Sequence, residues 1–174
     1  MRRRVLLACL AIVTTALSGA SSALAESPAG RAGEIEARPQ ADNSGFGRTP
    51  ETGLETLPGM PWAKVYIPSS YSPDRPAPMA LLLHGSGDGG VTMIRAFQQL
   101  ADEHGVILLA PDALDYSWDI MVAGANLRGV TRVPDWGPDV DRIDSALAAA
   151  FETYAVDPGR VSLIGFPDGA GYGL

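Results

Sequence analysis

Three short apolar runs constrain the fold of this chain more than any other feature. They occupy residues 79–83, 106–110 and 161–164, and turn-type residues follow each of them. A continuous apolar run of this length suits a strand that is buried on both faces, as in parallel sheets. Segments with helical spacing separate the runs, and parallel strands need such crossovers. The pattern therefore predicts an α/β fold with a mostly parallel sheet and flanking helices.

Shorter patterns predict the other elements. Residues 63–67 alternate as a strand does, and we expect ordered structure to begin near Trp62. One helix ends at Gly105, and its apolar face comprises Ile94, Phe97, Leu100 and Ala101. A second helix begins at Pro138, and its apolar face comprises Val140, Ile143, Leu147, Ala150, Phe151 and Tyr154. The residues between 112 and 138 are interpreted as a long loop, and residues 157–159 as a turn.

The N-terminus has the pattern of a secretory signal. Three arginines at positions 2–4 precede an apolar stretch over residues 5–17, and small residues at 23–25 predict cleavage before Glu26. We expect a signal peptide over residues 1–25 and an extracytoplasmic protein. Residues 26–53 are rich in Gly, Pro, Ala and charges and are expected to form a flexible leader. Residues 54–174 then form one domain.

Charge and cysteine content exclude several functions. The formal net charge is −7, and removal of residues 1–25, which hold three arginines and no acid, moves it to −10. Such a surface disfavours nucleic acid and anionic membranes. The one cysteine, Cys9, lies in the predicted signal, so no disulfide or thiol nucleophile is expected. The helix dipole and solvation account for the acids near the second helix, so no metal is expected; these acids are Asp135, Asp139, Asp141 and Asp144.

Four motifs carry a resemblance to a known family. Residues 81–88 read LLLHGSGD, 136–140 WGPDV, 156–161 VDPGRV and 165–170 GFPDGA. In this order they resemble the N-terminal part of secreted α/β-hydrolases. The likeness is to carboxylesterase/phospholipase and polyhydroxyalkanoate-depolymerase-like serine esterases, and it covers about residues 62–174. It implies an ester-type small molecule or polymer as the substrate and no cofactor.

The nucleophile motif of such enzymes is G-x-S-x-G, on a sharp turn between a strand and a helix. Residues 165–169 match it except at Pro167, which stands at the serine position. Proline has no attacking oxygen, and its φ near about −65° conflicts with the strained backbone of that turn. We therefore expect the turn to relax and the helix to start at Pro167. Asp168 is one residue out of place to act as a substitute nucleophile.

The resemblance also assigns the other site residues. The backbone amides of Ser86 and Asp168 are the oxyanion-hole candidates; alternatively, the Ser86 loop is only a glycine-rich turn, which is also compatible with phosphate. His84 is expected to pack near the site and His104 to lie on the surface, so neither is the catalytic base. Tyr116, Trp118 and Trp136 either line a substrate cleft or cover the sheet.

Two functions remain open at this stage. In the first, the chain is a truncated and inactive serine ester hydrolase, because the acid and histidine of such enzymes would follow residue 174. The strand at residues 161–164 would then leave an apolar sheet edge uncovered. In the second, the chain is a secreted, non-catalytic binding protein that retains the cleft. The oligomeric state is not predicted.

Overall fold

The computed structural model describes residues 34–39, 50–126 and 137–173. The elements in chain order are β1 (Gly53–Thr56), β2 (Ala63–Ile67), β3 (Ala77–Leu83), α1 (Gly90–His104), β4 (Ile107–Pro111), α2 (Asp119–Asn126), α3 (Pro138–Thr153), β5 (Val156–Gly165) and α4 (Asp168–Tyr172). The strands form one sheet in the order β1-β2-β4-β3-β5. The predicted signal segment lies outside the described residues.

The sheet is mixed, and the predicted α/β class with flanking helices is confirmed. The three strands predicted from the apolar runs are parallel, since β3 pairs in parallel with both β4 and β5. By contrast, β2 pairs antiparallel with β1 and with β4. The link between β1 and β2 is a short turn through Gly59, whose φ is +76°. A turn this short can join only antiparallel neighbours.

The core lies on both faces of the sheet. One cluster contains Leu81 and Leu109 on the strands and Ile143 and Phe151 on α3. The other contains the alternate strand residues, such as Leu82, packed against α1. This two-sided burial explains why β3 and β4 are apolar at successive positions. The apolar face predicted for α3 is buried throughout.

Helix α1 follows the prediction with one exception. Gly105 ends it in the left-handed conformation with a φ of +65°, and its amide donates to the carbonyl of Ala101. Leu100, predicted on the buried face, is 51% exposed. Two elements were not predicted. Strand β1 precedes Trp62, and α2 lies inside the predicted long loop. Neither segment has a clear period, since GLET is short and DIMVAGAN is mostly apolar.

Strand β5 is not buried as predicted. Val161 and Leu163 are 40% and 45% exposed, because β5 is the outermost strand and α3 packs over its neighbours. The predicted turn at residues 157–159 is an irregularity inside β5. The register with β3 shifts between Val156 and Val161, and the amide of Gly159 donates to Asp157 Oδ1 at 2.9 Å. Among the described strands, β5 has a neighbour on one side only.

Part of the predicted leader contacts the domain. The amides of Glu36 and Ala37 both donate to Asp144 Oδ1 on α3, at 2.7 Å. Ile35 and Ala37 also pack against the core. In the described part of the chain, no helix combines the length and apolarity needed to cross a membrane.

Candidate functional site

The site predicted from the motif lies where β5 passes into α4. Gly165 ends the strand and packs so closely on α4 that a Cβ there would clash with the backbone of Ala170. A Cβ on Gly169 would likewise clash with the carbonyl of Leu83 on β3. The amide of Phe166 donates to that carbonyl at 3.0 Å. Both glycines are thus required by the close approach of helix and sheet, whichever residue lies between them.

Pro167 has a helical backbone, with φ −54° and ψ −43°. Its hydrogen bonding is also helical, because the amide of Gly171 donates to the carbonyl of Pro167 at 3.1 Å. In the described ranges, only glycines have a positive φ. The prediction that helical geometry starts at Pro167 is confirmed. The side chain at position 167 has no oxygen, and its backbone is in the ordinary helical region.

The loop after β3 lies against this turn. A Cβ on Gly85 would be 3.0 Å from Cδ of Pro167 and 3.1 Å from the carbonyl oxygen of Phe166. Ser86 follows and is exposed. Its amide donates no hydrogen bond within residues 34–39, 50–126 and 137–173. Asp168 is the first residue of α4, and amides in the first turn of a helix have no acceptor in that helix.

The side chain of Asp168 is already engaged. The hydroxyl of Ser117 donates to Asp168 Oδ2 at 2.6 Å, and Ser117 is buried. This bond ties the loop after β4 to the start of α4. The hydrogen bond occupies one carboxylate oxygen and holds the side chain against the loop after β4. Sequence reasoning missed Ser117, because a loop serine distant in sequence gives no local signal of this contact.

His84 is buried beside the site with both ring nitrogens occupied. Nε2 accepts a hydrogen bond from the amide of Ala113 at 3.0 Å, which assigns the proton to Nδ1. Nδ1 in turn donates to the carbonyl of Gly85 at 2.8 Å. The ring is therefore a neutral imidazole that supports the loop before Ser86. This geometry agrees with the expectation that His84 packs near the site and is not a base.

The aromatic residues predicted for the cleft differ in their exposure. Trp118 is completely buried and stacks between His84 and Tyr172, at centroid distances of 4.8 Å and 5.3 Å. Its Nε1 donates to the carbonyl of His84 at 2.8 Å. The substrate-binding interpretation of Trp118 is wrong, because no part of its side chain is accessible. Tyr116 is 53% exposed and so keeps an accessible ring. Trp136 lies outside the described residues.

Two carboxylates, those of Asp139 and Asp119, accept hydrogen bonds that connect α3, α2 and α4 near Trp118. Asp139 is buried and accepts from the amides of Leu114 and Asp119, at 2.7 Å and 2.9 Å. Asp119 accepts in return from the amide of Asp139 and from the hydroxyl of Tyr172. Burial raises the pKa of Asp139 and of Tyr172. Solvation was therefore the wrong account of Asp139, which instead joins α3 to the loop that follows β4.

His104 lies at the other end of the sheet. It is exposed in the last turn of α1 and lines a cavity of about 390 Å³ with Arg75 and Arg160, at the N-terminal end of β3. The seven residues of β3 place about 20 Å between that end and the Pro167 turn. Among the described residues, no three His, Cys, Asp or Glu side chains are grouped as metal ligands.

The open α/β sheet is similar in fold to parts of solved structures. A thermostable esterase superposes with a TM-score of 0.50 and 18% identity, over 71% of this chain and 35% of that one. LpqC, a poly(3-hydroxybutyrate) depolymerase from Bordetella parapertussis, superposes with a TM-score of 0.50 and 22% identity, over 70% of this chain and 45% of that one. The fold of the chain therefore matches part of an α/β-hydrolase fold. It spans less than half the length of these two proteins.

Sequence comparison adds no closer relationship. No family model matches the chain, and no curated protein matches it.

Proposed function

We propose that this chain derives from a secreted serine ester hydrolase and performs no covalent catalysis at the Pro167 turn. One observation carries the proposal: residues 165–169 match the G-x-S-x-G pattern except at Pro167, which has a helical φ of −54°. An acyl-enzyme needs an oxygen or sulfur at that point, with a base to take its proton. The parent reaction would be acyl transfer to water without a cofactor.

Among the described residues, no neighbouring side chain supplies a nucleophile with its base at the Pro167 turn. The carboxylate of Asp168 is held by Ser117 at 2.6 Å. The whole sequence has two histidines. His84 uses both ring nitrogens, and His104 lies at the opposite end of β3. Neither imidazole can take a proton from an attacking group at position 167.

Substrate class and location form part of the same proposal. The names of the superposed enzymes, an esterase and a polyester depolymerase, support an ester of a small molecule or polymer as the ancestral substrate. The basic residues, apolar stretch and small residues at the N-terminus support export from the cytoplasm.

Hydrolysis of p-nitrophenyl acetate and labelling by a fluorophosphonate test the proposal. We expect the wild-type chain and Asp168→Ala to show the buffer rate and no label. Pro167→Ser should also stay inactive, because no histidine can serve it. Turnover by the wild-type chain that Asp168→Ala abolishes would refute the proposal, since it would make Asp168 a working nucleophile.

A second candidate function is non-catalytic binding of an ester or carboxylate. The unpaired amide of Ser86 favours it, because this donor lies on a loop in contact with the Pro167 turn. Calorimetric titration with a 3-hydroxybutyrate oligomer tests it. Saturable binding should survive Ser86→Ala, which keeps the amide, and be lost in Ser86→Pro, which removes it. Equal binding by both variants, or no binding by the wild-type chain, would exclude this role.

A further inference from the structure

The cavity at the N-terminal end of β3 has the size of a small-molecule site. Its volume is about 390 Å³, and such sites measure about 300–1,000 Å³. Its walls are the loop between β2 and β3, the last turn of α1, and Arg160 on β5. An organic molecule of a few carbon atoms would fill it, whereas a bare inorganic ion would occupy only a part.

The cavity brings together three basic side chains, those of Arg75, His104 and Arg160. The chain has 13 Lys and Arg against 20 Asp and Glu, so this grouping runs against its overall charge. Arg75 is exposed and forms no salt bridge within the described ranges. Its one side-chain hydrogen bond there is long, from a terminal nitrogen to the carbonyl of Ser70 at 3.5 Å. Most of its N–H donors can therefore bind a ligand.

Arg160 is held in place by two contacts that leave several donors unused. Its Nε donates to Asp157 Oδ2 at 2.6 Å, and a terminal nitrogen donates to the carbonyl of Pro76 at 3.2 Å. A guanidinium has five N–H donors, so three have no acceptor among the residues that the structure describes. Arg75 and Arg160 both donate to carbonyls of the loop between β2 and β3, so this loop positions the two guanidinium groups beside the cavity.

The two acids that line the cavity are bonded to other groups. Asp102 accepts at Oδ2 from the hydroxyl of Tyr66 and at Oδ1 from the amide of Ser69, at 2.7 Å and 2.8 Å. Glu103 accepts from the side-chain amide of Gln99 at 2.9 Å. In the described part of the chain, neither acid forms a salt bridge with an arginine. The guanidinium charges beside the cavity are thus not neutralised by its own acids.

The loop between β2 and β3 is stiff. Residues 68–76 read PSSYSPDRP, and the three prolines restrict its backbone. The amide of Tyr71 donates to the carbonyl of Pro68 at 3.0 Å. The amide of Arg75 donates to the carbonyl of Ser72 at 3.1 Å, which closes a second turn. A loop that is fixed in this way loses little conformational freedom when a ligand binds, which favours binding.

We propose that this cavity binds a small organic molecule through an oxyanion group, either a carboxylate or a phosphate ester. The planar fork of N–H donors on a guanidinium matches two oxygens of such a group. The hydroxyls of Ser70 and Ser72 belong to the same cavity and supply further donors for the oxyanion or for hydroxyls of the ligand. The seven residues of β3 place about 20 Å between this site and the Pro167 turn, so the proposal is independent of the proposed ester-hydrolase ancestry.

NMR titration of the full chain at low ionic strength tests the proposal, with succinate, inorganic phosphate and neutral succinamide as probes. We expect both anions to bind saturably at millimolar concentrations and to shift the amides of residues 70–72 and 102–105, and succinamide to shift none. The anion that binds more tightly identifies the preferred group.

Variants of the arginines separate a specific site from general attraction. Arg75→Gln should weaken binding of the anions about tenfold or more. Arg75→Lys keeps the charge but not the fork, and its affinity should lie between those of Arg75→Gln and the wild-type chain. Arg95→Gln is the matched control, because it removes the same charge from an exposed position on α1 outside the cavity. It should change the affinity less than about twofold.

The other outcomes overturn the proposal. Equal shifts with succinamide would show that the cavity does not recognise an anion, and equal losses in Arg75→Gln and Arg95→Gln would reduce binding to the general field of the chain. No saturation up to about 20 mM, or shifts confined to the loop of Ser86, would exclude this site. Should Arg75→Gln fail to fold, the amides shifted in the wild-type chain decide the question.

Discussion

Substitutions of His84 should distinguish the contributions of the two hydrogen bonds that its ring makes. His84→Ala removes a buried aromatic ring stacked on Trp118 and leaves the Ala113 amide without its acceptor. An unsatisfied buried donor costs about 1–3 kcal/mol, and a buried large-to-small change costs about 2–5 kcal/mol. The two terms share the same cavity and do not add in full, so we expect a loss of about 3–5 kcal/mol in the free energy of unfolding.

Two conservative variants show how much of this loss comes from each hydrogen bond. His84→Asn keeps a donor near the position of Nδ1 and loses the acceptor at Nε2, whereas His84→Gln does the reverse. The carbonyl of Gly85, which accepts the Nδ1 hydrogen bond, belongs to the same planar peptide as the amide of Ser86. Fixing one therefore orients the other. We expect His84→Asn to preserve the environment of the Ser86 amide and His84→Gln to alter it.

Urea unfolding gives the stability of each variant, and the ¹H–¹⁵N chemical shift of Ser86 gives the loop geometry. Phe97→Tyr, a half-buried position packed in the cluster on the α1 side of the sheet, serves as the control and should leave the Ser86 shift unchanged. If His84→Ala costs less than about 1 kcal/mol, or if Asn and Gln affect Ser86 equally, the assigned tautomer and its role are wrong.

Three further outcomes are expected. Gly169→Ala should cost about 2 kcal/mol or more in thermal unfolding, because its Cβ meets the backbone of Leu83, whereas Gly171→Ala meets only the flexible end of a methionine and should stay within about 1 kcal/mol. Equal losses would contradict the close helix–sheet approach. Hydrogen bonds from a backbone amide and a tyrosine hydroxyl lower the pKa of Asp102 from 3.8. The ionised carboxylate of Asp102 therefore stabilises the fold fully above pH 3.8, and this stabilisation is lost as the pH falls through the lower pKa of the folded state. In urea unfolding, the free energies of unfolding of the wild-type chain and Asp102→Asn should become equal in acid. A difference that does not change with pH would refute this. Asp144→Ala should speed proteolysis near residues 34–39, because two leader amides lose their acceptor; an unchanged cleavage rate would show that this contact does not anchor the leader.

Much of the fold could be predicted because its patterns are local. The strand at residues 63–67 and the cap at Gly105 were read from alternation and a single glycine, and the structure has both. The helical backbone of Pro167 was also predictable, since the ring of proline restricts φ in any context. β1 and α2 were missed because a four-residue segment and a mostly apolar segment carry no usable period.

The candidate site was less predictable because burial depends on distant partners. Trp118 and Tyr116 are two residues apart in one loop, yet the first is completely buried and the second is 53% exposed. Their difference arises from Tyr172 and His84, which stack on Trp118 from other parts of the chain. Asp139 similarly looked like a solvated acid at a helix start until the amides of Leu114 and Asp119 were found on it.

The sequence by itself determined the class of fold, four of the five strands, and the absence of a side-chain oxygen at position 167. These follow from periodicity and from the covalent structure of proline, which act over a few residues. Only the tertiary structure decided that β5 is an exposed edge, that Trp118 is core, and that Ser117 holds Asp168. Those outcomes depend on which distant segments meet, and packing in three dimensions alone sets that.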